Sequence, residues 1–120
     1  MMKRTPPTGV KAERLRHRKE QLLRQLRIPA NGLPGSLALT HSRCGKAACH
    51  CVKGTGHPGW SLTFMCSGKK RVERLPAEWA DEVRRQVEEG RKFKATLAEI
   101  FNANVQVLVL ERQQQRSKKR

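Results

Sequence analysis

Three cysteines crowd into one short loop between two segments that alternate apolar and polar residues. This cluster constrains the fold more than any other feature of the chain. Cys44, Cys49 and Cys51 stand in a C-x4-C-x-C spacing, with His41, His50 and His57 nearby and glycines throughout. Glycine lets a short loop turn its sulfurs inward. A structural Zn²⁺ takes four tetrahedral ligands from Cys and His, with thiolate bonds of ~2.3 Å. The basic N-terminus has no apolar leader, so the expected compartment is the cytoplasm, where thiols stay reduced and bind metal rather than pair.

The fourth ligand is His41, His50, His57 or Cys66. If strands 36–43 and 59–66 pair antiparallel around the loop, residue 44 lies opposite residue 58 and His57 arrives beside Cys44. Cys66 then lies opposite Ser36, roughly 25 Å away at ~3.3 Å per residue, and is expected as a small buried hydrophobe. His50, between two ligands, points away, and His41 stays open three residues before Cys44. The expected site is Cys44, Cys49, Cys51 and His57 on one structural zinc, with His41 and His50 as alternatives for the fourth position.

Around this loop the sequence predicts an α+β fold. It comprises a basic N-terminal helix, a small antiparallel three-stranded sheet carrying the Cys/His zinc loop, and a long C-terminal helix. Residues 1–9, with Pro6, Pro7 and Gly9, read as a flexible basic arm. A helix over 10–27 places Ala12, Leu15, Leu22, Leu23 and Leu26 on one face, with a gap at Lys19. The zinc-loop sheet spans 35–75: SLALTH (36–41), 60–65 and 71–75 are strands, and Ser67-Gly68-Lys69-Lys70 is the turn. Pro76 suits the first turn of a helix over 77–115, and Glu78, Asp81 and Glu82 favour its positive end.

Trp79, Val83, Val87, Phe93, Leu97, Ile100, Phe101, Val107, Leu108 and Leu110 form that helix's apolar positions. Gly90 is a candidate bend. Asn104 falls one turn after Ile100, where a lone Asn can set the register of a helix pair or simply face water. VQVLVLE (105–111) has strand propensity as well. Residues 10–115 are expected as a single domain, with 116–120 as a basic tail.

Charge indicates the partner. The 120 residues hold 26 Lys and Arg against 10 Asp and Glu, a net +16. Residues 1–72 hold fifteen cations and two acids (+13), and residues 73–120 hold eleven and eight (+3). So little acid cannot neutralise the first part internally, and the expected counterion is DNA or RNA, whose phosphates release condensed cations when contacted. Arg14, Arg16, Arg18, Lys19, Arg24 and Arg27 on the first helix, and Arg43, Lys46, Lys53, Lys69, Lys70 and Arg71 on the loop and turn, are the candidate nucleic-acid-binding residues. Tyr is absent and aromatic residues make up 4%, which disfavours base-stacking platforms and leaves phosphate contact, which positions without specifying. A strand residue such as Trp60 is expected in the core. No apolar run is long enough to cross a membrane.

Gly35-Ser36-Leu37, Arg43-Cys44-Gly45-Lys46, Cys49-x-Cys51, Gly54, His57 and Gly59, followed by Gly68-Lys69 and Leu75-Pro76, resemble a family of small uncharacterised prokaryotic proteins. The resemblance covers about residues 34–110. The family's pattern reads H-G-P-Y where this chain has His57-Pro58-Gly59-Trp60. It is a domain of unknown function found near transposases, so the resemblance implies a mobile-element or nucleic-acid setting and no particular activity.

Enzymatic readings find little support. From Asn31 to Val72 there is no Asp or Glu, which excludes carboxylate-held metal catalysis there. His57 has no neighbouring Glu of the kind a zinc deaminase uses, and no phosphate-binding glycine motif is present. The sequence is therefore read as a non-enzyme, a zinc-stapled basic nucleic-acid-binding accessory protein that contacts the phosphate backbone. The alternative is a protein–protein adaptor whose long helix binds a larger nucleoprotein partner or a second copy as a homodimer.

Overall fold

The computed structural model describes residues 3–42, 54 and 56–118. Helix α1 runs Val10–Gln25, and strands β1 (Ser36–Ser42), β2 (His57–Cys66) and β3 (Lys69–Leu75) follow. A short 3₁₀ turn, Ala77–Trp79, leads into helix α2, Ala80–Lys118. The α+β architecture expected from the sequence is therefore present. The chain divides into two compact units, Met1–Ile28 with Lys92–Arg120, and Pro29–Arg91.

In the second unit the sheet has the order β1-β2-β3, all antiparallel. Strand alternation sends Trp60, Leu62 and Phe64 to one face of β2, together with their neighbours Leu37, Leu39 and Leu75. That face carries the core: Leu62, Val83 and Val87 are buried, with Leu33, Leu37, Phe64 and Leu75 packed against them. The Arg84 guanidinium lies over the half-buried Trp60 ring, 5.1 Å from its centroid, a cation–π contact.

Ser67 and Gly68 make a two-residue hairpin turn with φ of 51° and 79°. Two consecutive positive φ values match the right-handed strand twist, and glycine is favoured at such a position. The turn thus sits one residue earlier than expected, and Lys69 and Lys70 belong to β3.

The β1–β2 register differs from the sequence expectation by three residues. Ser42, rather than Cys44, closes the ladder, and it pairs with His57; Ser36 pairs with Thr63 rather than Cys66. An odd slip reverses every side chain in the strand, and only the observed register puts Leu37 beside Leu62 on the core face. Cys66 is exposed at the hairpin end rather than buried.

In the first unit α1 packs on the C-terminal part of α2. Ala12, Leu22, Ile100, Ala103 and Leu110 are buried. Leu15, Lys19 and Leu26 share α1's inner face and are half-buried, so the gap at Lys19 falls inside the packing stripe; Leu23 is 48% exposed. The helices are antiparallel: Arg18 pairs with Glu99 at 3.0 Å, while Arg4, before α1, pairs with Glu111 at 3.0 Å. Thr8 exchanges hydrogen bonds with Gln114, its N–H donating to Oε1 (2.9 Å) and its carbonyl accepting from Nε2 (2.6 Å). Pro7 is buried, so residues 4–8 of the expected flexible arm lie against α2. Helix α1 ends two residues short of expectation, at Gln25. The Arg27 guanidinium donates to the carbonyls of Arg24 and Leu26, 2.9 and 3.0 Å, filling acceptors that a helix end leaves open.

Helix α2 continues through VQVLVLE and through residues 116–118 of the expected tail. Asn104 faces solvent. Trp79, Phe101 and Leu108, expected as apolar packing positions, are 56%, 58% and 45% exposed.

Gly90 does not break α2. The segment before β1 seats on it instead: the Leu33 N–H donates to the Gln86 carbonyl at 3.0 Å, and a Cβ on Gly90 would fall on the Leu33 carbonyl oxygen. Alanine ordinarily stabilises a helix interior by about 1 kcal/mol over glycine. Here the sign reverses: Gly90→Ala lowers stability by ~1–3 kcal/mol through overpacking, measured by urea denaturation.

Candidate nucleic-acid interface and metal loop

Cys44, Cys49, Cys51, His50, Arg43, Lys46 and Lys53 lie outside the described residues. The described residues fix the two ends of that segment. Ser42 and His57 are directly paired, closing the sheet at the base of residues 43–56. Alternation places His57 on the face of β2 away from the core and His41 on the core-side face of β1, so these two of the three candidate histidines sit on opposite faces. His57 is half-buried and engaged in an interaction of its own, whereas His41 is exposed. Cys66, nine residues along β2 from His57, stands roughly 30 Å away at ~3.3 Å per residue. Among the described residues no group of three His, Cys, Asp or Glu is arranged to hold a metal.

The open face of the sheet has a distinct composition. Ser36, Ala38, Thr40, Gly59, Ser61 and Thr63 line β1 and β2, while Lys70, Val72 and Arg74 line β3. The Thr40 hydroxyl donates to the Gly59 carbonyl at 3.2 Å. Gly59 matters here because a Cβ at that position would occupy the Arg74 guanidinium. The Arg74 side chain thus lies across the central strand, and Arg74 has an interaction partner. Reading the sequence for clusters missed this residue. The period-two alternation Lys70, Val72, Arg74 is the signal that places it.

At the hairpin tip Lys69, Lys70 and Arg71 are all exposed, opposite Cys66, Met65 and Phe64. Strand alternation sends Lys69 and Arg71 to one face and Lys70 to the other, so cations surround the tip.

On α1 the six candidate cations divide. Arg18 is paired with Glu99. Arg16 is paired with Glu13 at 2.8 Å and also donates to the Pro7 carbonyl. Lys19 is half-buried on the packing face. Arg14 and Arg24 are exposed, and Arg27 caps the helix with its charge unneutralised. Lys11, one turn before Arg14 and exposed, joins this set. Exposed ion pairs of this kind contribute about 0.2–1 kcal/mol, so a phosphate can displace Glu99 or Glu13 at small cost.

An α+β domain with cations displayed on a hairpin tip and a helix surface is the class that the fold defines. A family model described as a domain of unknown function (DUF6788) matches residues 12–85, and the chain belongs to that family. The match runs from α1 through the sheet into the first turns of α2. No curated protein and no solved structure matches the chain. Among the described residues no helix is long and apolar enough to cross a membrane.

Since Lys69, Lys70 and Arg71 have no packing role, replacing all three with Gln is expected to leave the unfolding midpoint within the range of ordinary surface changes, about ±0.5 kcal/mol each, as read by thermal denaturation.

Proposed function

We propose that this protein is a zinc-stapled nucleic-acid-binding accessory protein that grips the phosphate backbone of DNA or structured RNA, in a mobile-element or related nucleoprotein system. The observation that carries the reading is a group of exposed cations on two elements that form no ion pair among the described residues, in a chain of net charge +16: Lys11, Arg14 and Arg24 on α1, and Lys69, Lys70 and Arg71 on the hairpin tip. The mobile-element setting rests on the motif resemblance alone.

Zinc fits the donor set. Ser42 and His57 tie off the segment carrying Cys44, Cys49 and Cys51, two residues before the first of them and at the fourth expected ligand. Three thiolates and one imidazole are a tetrahedral structural set. The metal would fold the loop and hold Arg43, Lys46 and Lys53 toward the same polyanion, because site formation and local folding are one event. Purified protein is expected to carry about one Zn²⁺ per chain by elemental analysis, and Cys49→Ser to lose it. A folded protein without metal would remove the zinc part of the reading and leave the cations to be tested separately.

The test of the cations is the dependence of affinity on salt. On duplex DNA, log affinity falls with log salt by about 0.9 per neutralised phosphate. Replacing Lys69, Lys70 and Arg71 with Gln should weaken binding to every sequence alike and reduce the slope by about 0.9 for each contact removed. Glu99→Gln frees Arg18 and should tighten binding while costing under ~1 kcal/mol of stability. Binding indifferent to salt between about 50 and 300 mM would contradict the proposal, since counterion release then plays no part.

A further inference from the structure

The C-terminal part of α2 carries a second surface, apart from the cations to which the proposed function assigns phosphate contacts. Lys94, Ala98, Phe101, Val105, Leu108 and Arg112 recur at alternating spacings of four and three, which is the narrow seam of a helix pair rather than the broad stripe of a helix lying on a core. Phe101, Val105 and Leu108 are 58%, 55% and 45% exposed, and Val109 beside them is 49% exposed. Helix α1 therefore leaves this seam uncovered. A contiguous apolar patch of this kind, rimmed by charge, marks an interaction surface.

The rim decides what fits. Lys94 and Arg112 close the two ends of the seam. A groove on one side is lined by Lys3, Leu108, Arg112 and the Arg4–Glu111 ion pair, and a groove on the other by Lys11, Val105 and Val109. The acids of this stretch are committed elsewhere, Glu99 to Arg18 and Glu111 to Arg4. A second copy fits poorly in either orientation. A parallel pair sets Lys94 against Lys94 and Arg112 against Arg112, and an antiparallel pair centred between Phe101 and Val105 sets Lys94 against Arg112. Like charges across such a seam repel.

A lipid surface needs a broad apolar face, whereas a narrow ridge between two grooves suits another helix. We propose that this seam docks an acidic amphipathic helix of a partner protein, with apolar residues against Phe101, Val105 and Leu108 and carboxylates facing Lys94 and Arg112. The end cations are 18 residues apart, or ~27 Å along the helix, which sets the spacing of the partner's acids.

The probe is a fluorescein-labelled peptide of about three heptads, with leucine along one seam and glutamate at both ends of it, read by anisotropy against the full-length protein. A scrambled peptide of identical composition controls for attraction to the chain's bulk charge. The expected result is binding of the patterned peptide at least tenfold tighter than the scrambled one. Val105→Gln and Leu108→Gln, which leave charge unchanged, should abolish that preference while circular dichroism stays native. Lys94→Glu combined with Arg112→Glu should favour a peptide with lysine in place of glutamate at both ends. Equal binding of patterned and scrambled peptides, or a preference untouched by Val105→Gln, would overturn the proposal. A dimer in sedimentation that Val105→Gln dissolves would overturn it in favour of a second copy. Phosphatidylglycerol vesicles binding in a Val105-dependent way, without peptide binding, would overturn it in favour of a lipid surface.

Discussion

Burial of Leu62 against Val83 and Val87 is the interaction on which the sheet-bearing unit depends. Leu62 sits in the central strand, so both neighbouring strands must register around it. With Leu37 on one side and Glu73 on the other, every other pairing follows. Ser42 must meet His57, closing the base of the cysteine segment, and Cys66 must meet Lys69 at the hairpin tip. A slip by one residue would turn Leu62 away from Val83 and Val87, at a cost of up to about 1.5–3 kcal/mol for a side chain of that size. One apolar contact thus determines both where the cysteine segment begins and which residues the hairpin displays.

Against that cohesion stands the chain's own charge. A net +16 in 120 residues destabilises a compact state by self-repulsion and at the same time keeps copies apart. The fold manages the repulsion locally. Arg18 reaches Glu99, Arg4 reaches Glu111, Arg84 lies over Trp60, and Arg27 turns back on its own helix end. The cations at the hairpin tip are left without such partners among the described residues, and a polyanion is the counterion they suit.

Much of the architecture was legible because its signals are periodic. Alternation marked 36–41 and 60–65 as strands, and recurrence every three or four residues marked both helices. The register was not legible, since loop length alone cannot distinguish Cys44 from Ser42 at the base of the loop; the choice is made by Leu37 packing beside Leu62, a contact distant in sequence. Gly90 was ambiguous for the same reason: a glycine in a helical pattern reads as a bend until the Leu33 backbone is seen against it. The spacing of the apolar positions of α2 did not tell which of them α1 covers: Ile100, Ala103 and Leu110 are buried, while Phe101 and Leu108 stand exposed. Of the candidate site, the hairpin cations stand exposed, while Arg16 and Arg18 are ion-paired within the chain and Lys19 is half-buried on the packing face. Composition alone does not separate a cation that faces solvent from one that binds its own chain.

The measurement that tests the proposed function most directly is a residue-by-residue map of amide shifts as a short DNA duplex is titrated into the protein, with zinc supplied. The account predicts shifts concentrated at Lys69, Lys70 and Arg71 and along Lys11, Arg14 and Arg24, fading together as salt is raised, with Phe101, Val105 and Leu108 unmoved. Shifts confined to the α2 seam, or none at the hairpin tip, would contradict it.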